Sequence, residues 1–194
     1  MTASRADEDS RLVERFLEGN LQAFNELMAA HEDRVFGLCL RVMRDRELAL
    51  DAVQETFITV YRKAGKFTGE SAFSTWLYRV ATNTCYDQLR KIKRHAADPL
   101  PESTDPADPH SDAAFTAVEL RPDLQRALAT LGPEFHKAIV LADMEALPLQ
   151  QVAEILGVPV GTIKSRVFRA RRQLADALRN QNPDAQRRNG DNDA

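Results

Sequence analysis

A chain of 194 residues is long for one compact helical domain and comfortable for two, since domains commonly run about 100 to 150 residues; its 43% hydrophobic and 28% charged residues furnish cores and argue against global disorder. No apolar run approaches the roughly 18 to 20 residues a bilayer crossing needs, and the opening Met1-Thr2-Ala3-Ser4-Arg5 lacks the apolar core of a signal peptide, so neither membrane insertion nor export is expected. The net charge of −3 would argue against a nucleic-acid binder if it were spread evenly, but between Thr162 and Arg179 the residues Lys164, Arg166, Arg169, Arg171, Arg172 and Arg179 face a single Asp176, and local charge decides contact with phosphate.

From about residue 9 to 93, apolar and polar residues alternate at helical spacing, which predicts helices near 10–17, 21–43, 47–64 and 73–93. Asn20 and Asp45 are suited to cap the second and third, Gly65 to stop the third, and Ser71 or its neighbours to start the fourth. Cys39 and Cys85 fall inside these patterns, 46 positions apart, with no CxxC pair; both read as small core residues.

Two of these helices carry unusual faces. On the third, Leu50, Val53, Phe57, Val60 and Tyr61 form the expected core stripe, and Asp51, Gln54, Glu55 and Ile58 lie opposite. An acidic rim around an exposed isoleucine suits a protein partner with a basic surface, the alternative being a face that merely meets water. On the fourth, Leu77, Val80, Ala81 and Thr84 point inward, with Tyr78, Cys85 and Leu89 near that side. Arg79, Asn83, Tyr86 and Arg90 follow one another on the far side, with Trp76 at its upper edge. Cations, an amide and aromatic rings on one stripe suit single-stranded nucleic acid, where bases stack on rings and an amide reads an unpaired edge. The preceding loop, Lys66-Phe67-Thr68-Gly69-Glu70-Ser71-Ala72-Phe73, is small enough to form a pocket for an extruded base. A solvated face with Trp76 partly buried is the plainer alternative.

Between about 97 and 122, prolines and acidic residues interleave, a texture that cannot bury enough apolar surface to offset its ordering entropy. It reads as a flexible acidic linker with a short helix around 113–120. A second helical block runs from 124 to about 178, followed by a polar tail expected to be disordered.

Within that block, residues 149–156 read as a short helix closed by Gly157 in the left-handed conformation, Val158 packs the corner, Pro159 sits where an amide would lack a helical partner, and a second helix starts around Gly161 or Thr162. This is a helix-turn-helix. At roughly 100° per residue, Ile163, Val167, Ala170, Leu174 and Leu178 share the buried stripe. Ser165, Phe168, Arg169 and Arg172 lie opposite, flanked by Lys164 and Arg171 on one side and Thr162 and Arg166 on the other. Early side chains of such a helix reach base edges in the major groove while flanking cations hold phosphates, and an outward phenyl can pack on a thymine methyl. His31, His95, His110 and His136 are scattered without metal-ligand spacing and no glycine-rich phosphate loop occurs, so no catalytic centre, metal or cofactor is expected.

Three stretches in order, 51–57 (Asp-Ala-Val-Gln-Glu-Thr-Phe), 73–83 (Phe-Ser-Thr-Trp-Leu-Tyr-Arg-Val-Ala-Thr-Asn) running on to Asp87-Gln88-Leu89-Arg90, and 161–171 (Gly-Thr-Ile-Lys-Ser-Arg-Val-Phe-Arg-Ala-Arg), resemble the extracytoplasmic-function group of bacterial sigma factors, minimal members of the sigma-70 family. The resemblance implies an all-α chain of two small helical domains: region two over 1–94, a linker over 95–119, region four with the helix-turn-helix over 120–179, and a tail over 180–194. It implies that Asp51, Gln54, Glu55 and Ile58 grip the clamp helices of the largest subunit of core RNA polymerase, with further contact at the flap. Lys66, Phe67, Phe73, Trp76, Arg79, Asn83, Tyr86 and Arg90 would capture the melted minus-ten strand. Thr162, Lys164, Ser165, Arg166, Phe168, Arg169 and Arg172 would meet the minus-thirty-five duplex. The linker would thread toward the RNA exit path, and the protein would stay in the cytoplasm, on the nucleoid when joined to polymerase. Members of the group are often held by an anti-sigma factor. From the residues alone two rivals stay open: a helix-turn-helix regulator that never joins polymerase, which a pull-down with core enzyme separates, and a nucleic-acid-processing enzyme, which a nuclease assay separates.

Overall fold

The computed structural model describes residues 5–97 and 122–181, and among the described residues every regular element is helical. The N-terminal unit comprises α1 (Arg5–Leu17), α2 (Leu21–Met43), α3 (Arg46–Lys63), a 3-10 turn (Ala64–Lys66) and α4 (Phe73–Ala97). Local chemistry sets the corners. Gly19 takes a φ of 99° between α1 and α2, and the Asn20 side chain accepts from the Ala23 amide at 3.2 Å to cap α2. Asp45 caps α3 in the same way through the Leu48 amide at 2.8 Å. Gly65, expected to stop α3, instead lies within the 3-10 turn that follows Lys63. Helix α1 starts earlier than the apolar pattern suggested, with Asp7 and Glu8 in its first turn where the helix dipole favours anions.

Helices α2, α3 and α4 pack mutually around Leu27, Val35, Leu38, Cys39, Val60 and Leu77. Both thiols are fully buried there, Cys85 Sγ lying 3.5 Å from Cys39 Sγ across the α2–α4 contact. Burial of Asp9 against His31, 3.0 Å apart, ties α1 to α2 beneath the Phe73 ring.

The core stripe of α3 departs from expectation. Ala49, Ala52, Val53, Thr56 and Val60 are buried, while Leu50 and Tyr61 are 42% and 50% exposed. Small residues let α3 approach its neighbours closely, so the helix turns its alanines inward and leaves its larger side chains at the margin. Tyr61 is not idle there, since it stacks with Phe16 and Phe24 at 5.3 and 5.2 Å between ring centres.

The C-terminal unit comprises α5 (Pro122–Ala129), α6 (Pro133–Ile139) running into a π-helical turn (Val140–Met144), α7 (Leu149–Leu156) and α8 (Val160–Gln181). Gly157 caps α7 at φ 66°, as the corner requires, and its amide bonds the Ala153 carbonyl. The Thr162 amide closes on the Pro159 carbonyl at 2.9 Å, so α8 starts slightly before Gly161. Ile163, Val167 and Ala170 are buried against Leu128, Ala138, Ile139 and Val152, whereas Leu174 and Leu178 are only half-buried as α8 outruns its partners.

Helix α4 continues through Ala97 and α8 through Gln181, so the first residues expected to be linker and tail are helical. The remainder of both, including the short helix expected around 113–120, lies outside the described residues. No described helix is long and apolar enough to cross a membrane. The two units are docked: α4 packs on α7, and buried residues of both form one continuous cluster.

Candidate nucleic-acid interface

Helix α8 presents the expected outer face. Burial of Ile163, Val167 and Ala170 fixes its rotation, which leaves Lys164, Ser165, Arg169 and Arg172 exposed and Phe168 68% exposed. A phenyl so exposed on a cationic face stacks on no other ring among the described residues, and an apolar base edge suits it. Two of the cations are already engaged. Arg166 Nη2 donates to Glu134 Oε2 at 2.5 Å, and Arg171 makes a forked pair with Asp143 at 2.7 and 2.9 Å. These tie α8 to α6 and to the π turn, so Arg171 positions the helix. Thr162 is half-buried at the corner.

The aromatic end of α4 forms a cluster. Phe67 stands edge-on to Phe73 at 5.7 Å between centres, and Trp76 lies 5.7 and 5.8 Å from Phe67 and Phe73. Phe73 is 1% exposed. Its first-turn position in α4 points it into the core, where it forms the floor on which Phe67 and Trp76 rest. Those two are half-buried, and Lys66 is exposed beside them.

Further along α4, Asn83 is exposed, and Arg90 is exposed while paired with Asp87. Arg79 donates to the main-chain carbonyl of Glu154, at the end of α7. Tyr86, placed on the outer face by periodicity, is only 6% exposed. The docked C-terminal unit covers it: its hydroxyl lies 2.5 Å from His136 Nδ1, and the Lys137 ammonium stands 4.3 Å above its ring.

The surroundings of His136 assign its protonation. Arg44 reaches from the C-cap of α2, in the left-handed region at φ 59°, to place Nη2 3.1 Å from His136 Nε2 and Nη1 2.9 Å from the Gln125 carbonyl. A guanidinium only donates, so Nε2 accepts, and Nδ1 of the neutral ring carries the hydrogen toward Tyr86. Burial and the Arg44 charge hold the imidazole down at about 4, and burial pushes the Tyr86 phenol well above its usual value.

On α3, Asp51, Gln54 and Glu55 are exposed and Ile58 is 44% exposed, an acidic rim with an apolar centre. Leu50 joins this surface. The Ala49, Ala52, Val53, Thr56 pattern signalled that rotation, but large apolar residues dominate a periodicity reading.

Comparison with known proteins matches residues 27–95 to Sigma-70 region 2 and residues 121–174 to Sigma-70 region 4. The chain is 34% identical over 182 residues to the RNA polymerase sigma-H factor of Pseudomonas aeruginosa, covering 89% of this chain and 94% of that one. It is 39% identical over 161 residues to the ECF RNA polymerase sigma factor SigE of Mycolicibacterium smegmatis, covering 81% of this chain but 62% of that longer protein. Among solved structures, the sigma factor RpoE of Bartonella quintana, in complex with the anti-sigma factor NepR, superposes with a TM-score of 0.63 at 28% identity, over 80% of this chain and 96% of that one. CnrH, in complex with the cytosolic domain of CnrY, shares the fold at a TM-score of 0.64 and 22% identity, over 89% of this chain and 97% of that one.

Proposed function

The chain belongs to the extracytoplasmic-function sigma factors of the sigma-70 family, and we propose that its three helix faces divide the work of a promoter-specificity subunit between polymerase, duplex and melted strand. Asp51, Gln54, Glu55 and Ile58, extended by Leu50, meet a basic surface of core RNA polymerase on α3. Lys164, Ser165, Phe168, Arg169 and Arg172 on α8 meet the minus-thirty-five duplex, the cations holding phosphates and the early residues meeting base edges. Phe67, Trp76, Arg79, Asn83, Tyr86 and Arg90, with Lys66, take the minus-ten strand once it separates, Asn83 offering the amide that reads an unpaired edge. Residues 1–94 act as region two and 120–179 as region four.

The mechanism is binding alone. Differential affinity for the melted over the paired minus-ten element moves that equilibrium toward opening, by no more than the difference in affinity. The observation that carries the reading is the face of α8, where a 68% exposed phenyl sits among Lys164, Arg169 and Arg172, cations with no ion pair among the described residues. A regulator that never joins polymerase would leave the acidic, apolar-centred α3 surface without a role. The protein works in the cytoplasm, where polymerase and promoter are. Transcription in vitro tests this: added to core polymerase on a template library, the protein is expected to give defined start sites. Failure on every template, while a known initiation subunit succeeds with the same core, rejects the assignment.

A further inference from the structure

Helix α1 brings a buried charged group toward the aromatic end of α4, and it does so from outside the segment that matches Sigma-70 region 2, which starts at residue 27. Asp9 on α1 is 3% exposed and His31 on α2 is 1% exposed, with His31 Nε2 3.0 Å from Asp9 Oδ2. The His31 ring stands 5.5 Å from the Phe73 ring at a tilt of 59°. Phe73 in turn carries Phe67 edge-on and Trp76 tilted. An unbroken series of contacts therefore runs from a buried carboxylate, through an imidazole and a buried phenyl, to the two half-buried rings offered to a base. Helix α1 also touches the 3-10 turn and α4, the two elements that flank the loop before Phe73.

As a source of stability the Asp9–His31 pair is a weak choice. Taking a carboxylate and an imidazole out of water costs free energy that their attraction only partly offsets, and apolar residues of similar volume often serve as well. What apolar packing lacks is direction. A hydrogen bond selects both distance and angle, so Asp9 holds the His31 ring in one rotation. His31 Nδ1 is buried with no hydrogen-bond partner among the described residues, so among them Asp9 alone orients the imidazole by a hydrogen bond. A ring so held gives Phe73 one seat, and the edge-on and tilted contacts above it depend on that seat because ring pairs prefer particular orientations.

We propose that Asp9 and His31 are positioning residues for strand capture: their contact fixes the Phe73 floor, and through it the planes of Phe67 and Trp76 on which an unpaired base stacks. The proposal rests on the assignment of the aromatic end of α4 to the melted strand. It gives α1 a part in promoter opening although its own residues stay away from the DNA.

The test uses the full chain assembled with core polymerase. Asp9→Leu combined with His31→Leu replaces the pair by apolar side chains, whereas Asp9→Asn keeps an acceptor for His31 Nε2. Circular dichroism of the free chain reads folding, and because Trp76 is its single tryptophan, emission from that chain reads the ring cluster directly. Anisotropy follows two labelled probes from a promoter mapped by the transcription assay above, its minus-ten single strand and its minus-thirty-five duplex. The double variant is expected to keep its helix content, shift the Trp76 emission and bind the single strand about tenfold more weakly, within the range that loss of one stacked base gives. Its duplex affinity is expected to match the parent, and Asp9→Asn is expected to match the parent on both probes. Strand binding unchanged in the double variant, strand and duplex weakened alike, an unshifted emission, or Asp9→Asn behaving like the double variant would each overturn the positioning role. Asn83→Ala separates the two readings: if it weakens strand binding when the double variant does not, positioning is wrong and the α4 assignment stands, and if neither weakens it, the α4 assignment itself fails. Should the double variant lose helix content, His31→Gln takes its place, since it keeps a donor toward Asp9 but removes the ring against Phe73. It is expected to weaken strand binding with the duplex unchanged, and strand binding equal to the parent rejects the proposal.

Discussion

Helices α4 and α8 are the two long helices with mixed cationic and aromatic outer faces, and they end differently: α8 leaves Phe168 68% exposed, whereas α4 has Tyr86 covered to 6%. Both inner faces follow the same rule of apolar periodicity. What separates them is a second layer, because the C-terminal unit docks on α4 while nothing among the described residues docks on the outer face of α8. Amphipathic spacing therefore reports which side of a helix meets its own domain, and it is silent about a neighbour arriving on the other side.

The strongest way to break the comparison is to damage the layer both helices share. Leu77→Ala on α4 and Ile163→Ala on α8 each remove a fully buried branched side chain and should cost about 2–5 kcal/mol in denaturant unfolding, by lost transfer energy and the cavity left behind. A loss below about 1 kcal/mol at either would mean that the helix is not seated as described.

Acid probes the second layer. His136 titrates at about 4 in the docked chain against an ordinary 6.5, so the separated or unfolded chain binds the proton more readily. Docking stability is thus full above pH 6.5 and falls as pH drops from there through about 4, each unit of depression being worth about 1.4 kcal/mol. The charges facing the ring agree in sign, since a protonated Nε2 would set its hydrogen against the Arg44 guanidinium, with Lys137 also nearby over Tyr86. Scattering between pH 7 and 4.5 should show expansion, and His136→Gln should flatten that part of the profile relative to the parent.

Arg169→Ala sharpens the α8 side. An exposed guanidinium that contacts a base edge should contribute about 1–3 kcal/mol to promoter-fragment binding, measured with the holoenzyme. Arg166→Ala should matter less, about 0–1 kcal/mol of stability, because its exposed pair with Glu134 is largely screened. If Arg166→Ala weakened promoter binding more than Arg169→Ala, the rotation assigned to α8 would be wrong. The smallest local effect is at Asn20→Ala, where losing the cap of α2 should cost about 1 kcal/mol without changing promoter binding.

The legible part of the molecule was the part that local rules determine. Asn20, Asp45 and Gly157 announced their corners because each meets a demand of the adjacent backbone, and the α7–Gly157–α8 corner followed residue by residue. The α3 stripe was misread at Leu50 and Tyr61 because hydrophobicity favours large side chains, while close helix packing favours Ala49 and Ala52. The burial of Phe73 was not legible because the first turn of α4 faces the core rather than the loop before it. Tyr86 could not be read at all: its partner His136 lies 50 positions away, and no spacing in the chain announces that meeting.

The paired thiols of Cys39 and Cys85 make the folded N-terminal unit chemically quiet. Alkylating reagents attack thiolates, and here both sulfurs are sealed from solvent, with the hydrogen-bonded Cys85 thiol and then burial raising the Cys39 proton affinity. A maleimide dye should therefore ignore the native chain and label it only as α2 and α4 come apart. The protein thus carries its own stopwatch for unfolding, and a cysteine placed on any outer face can be tagged without removing the two it already has.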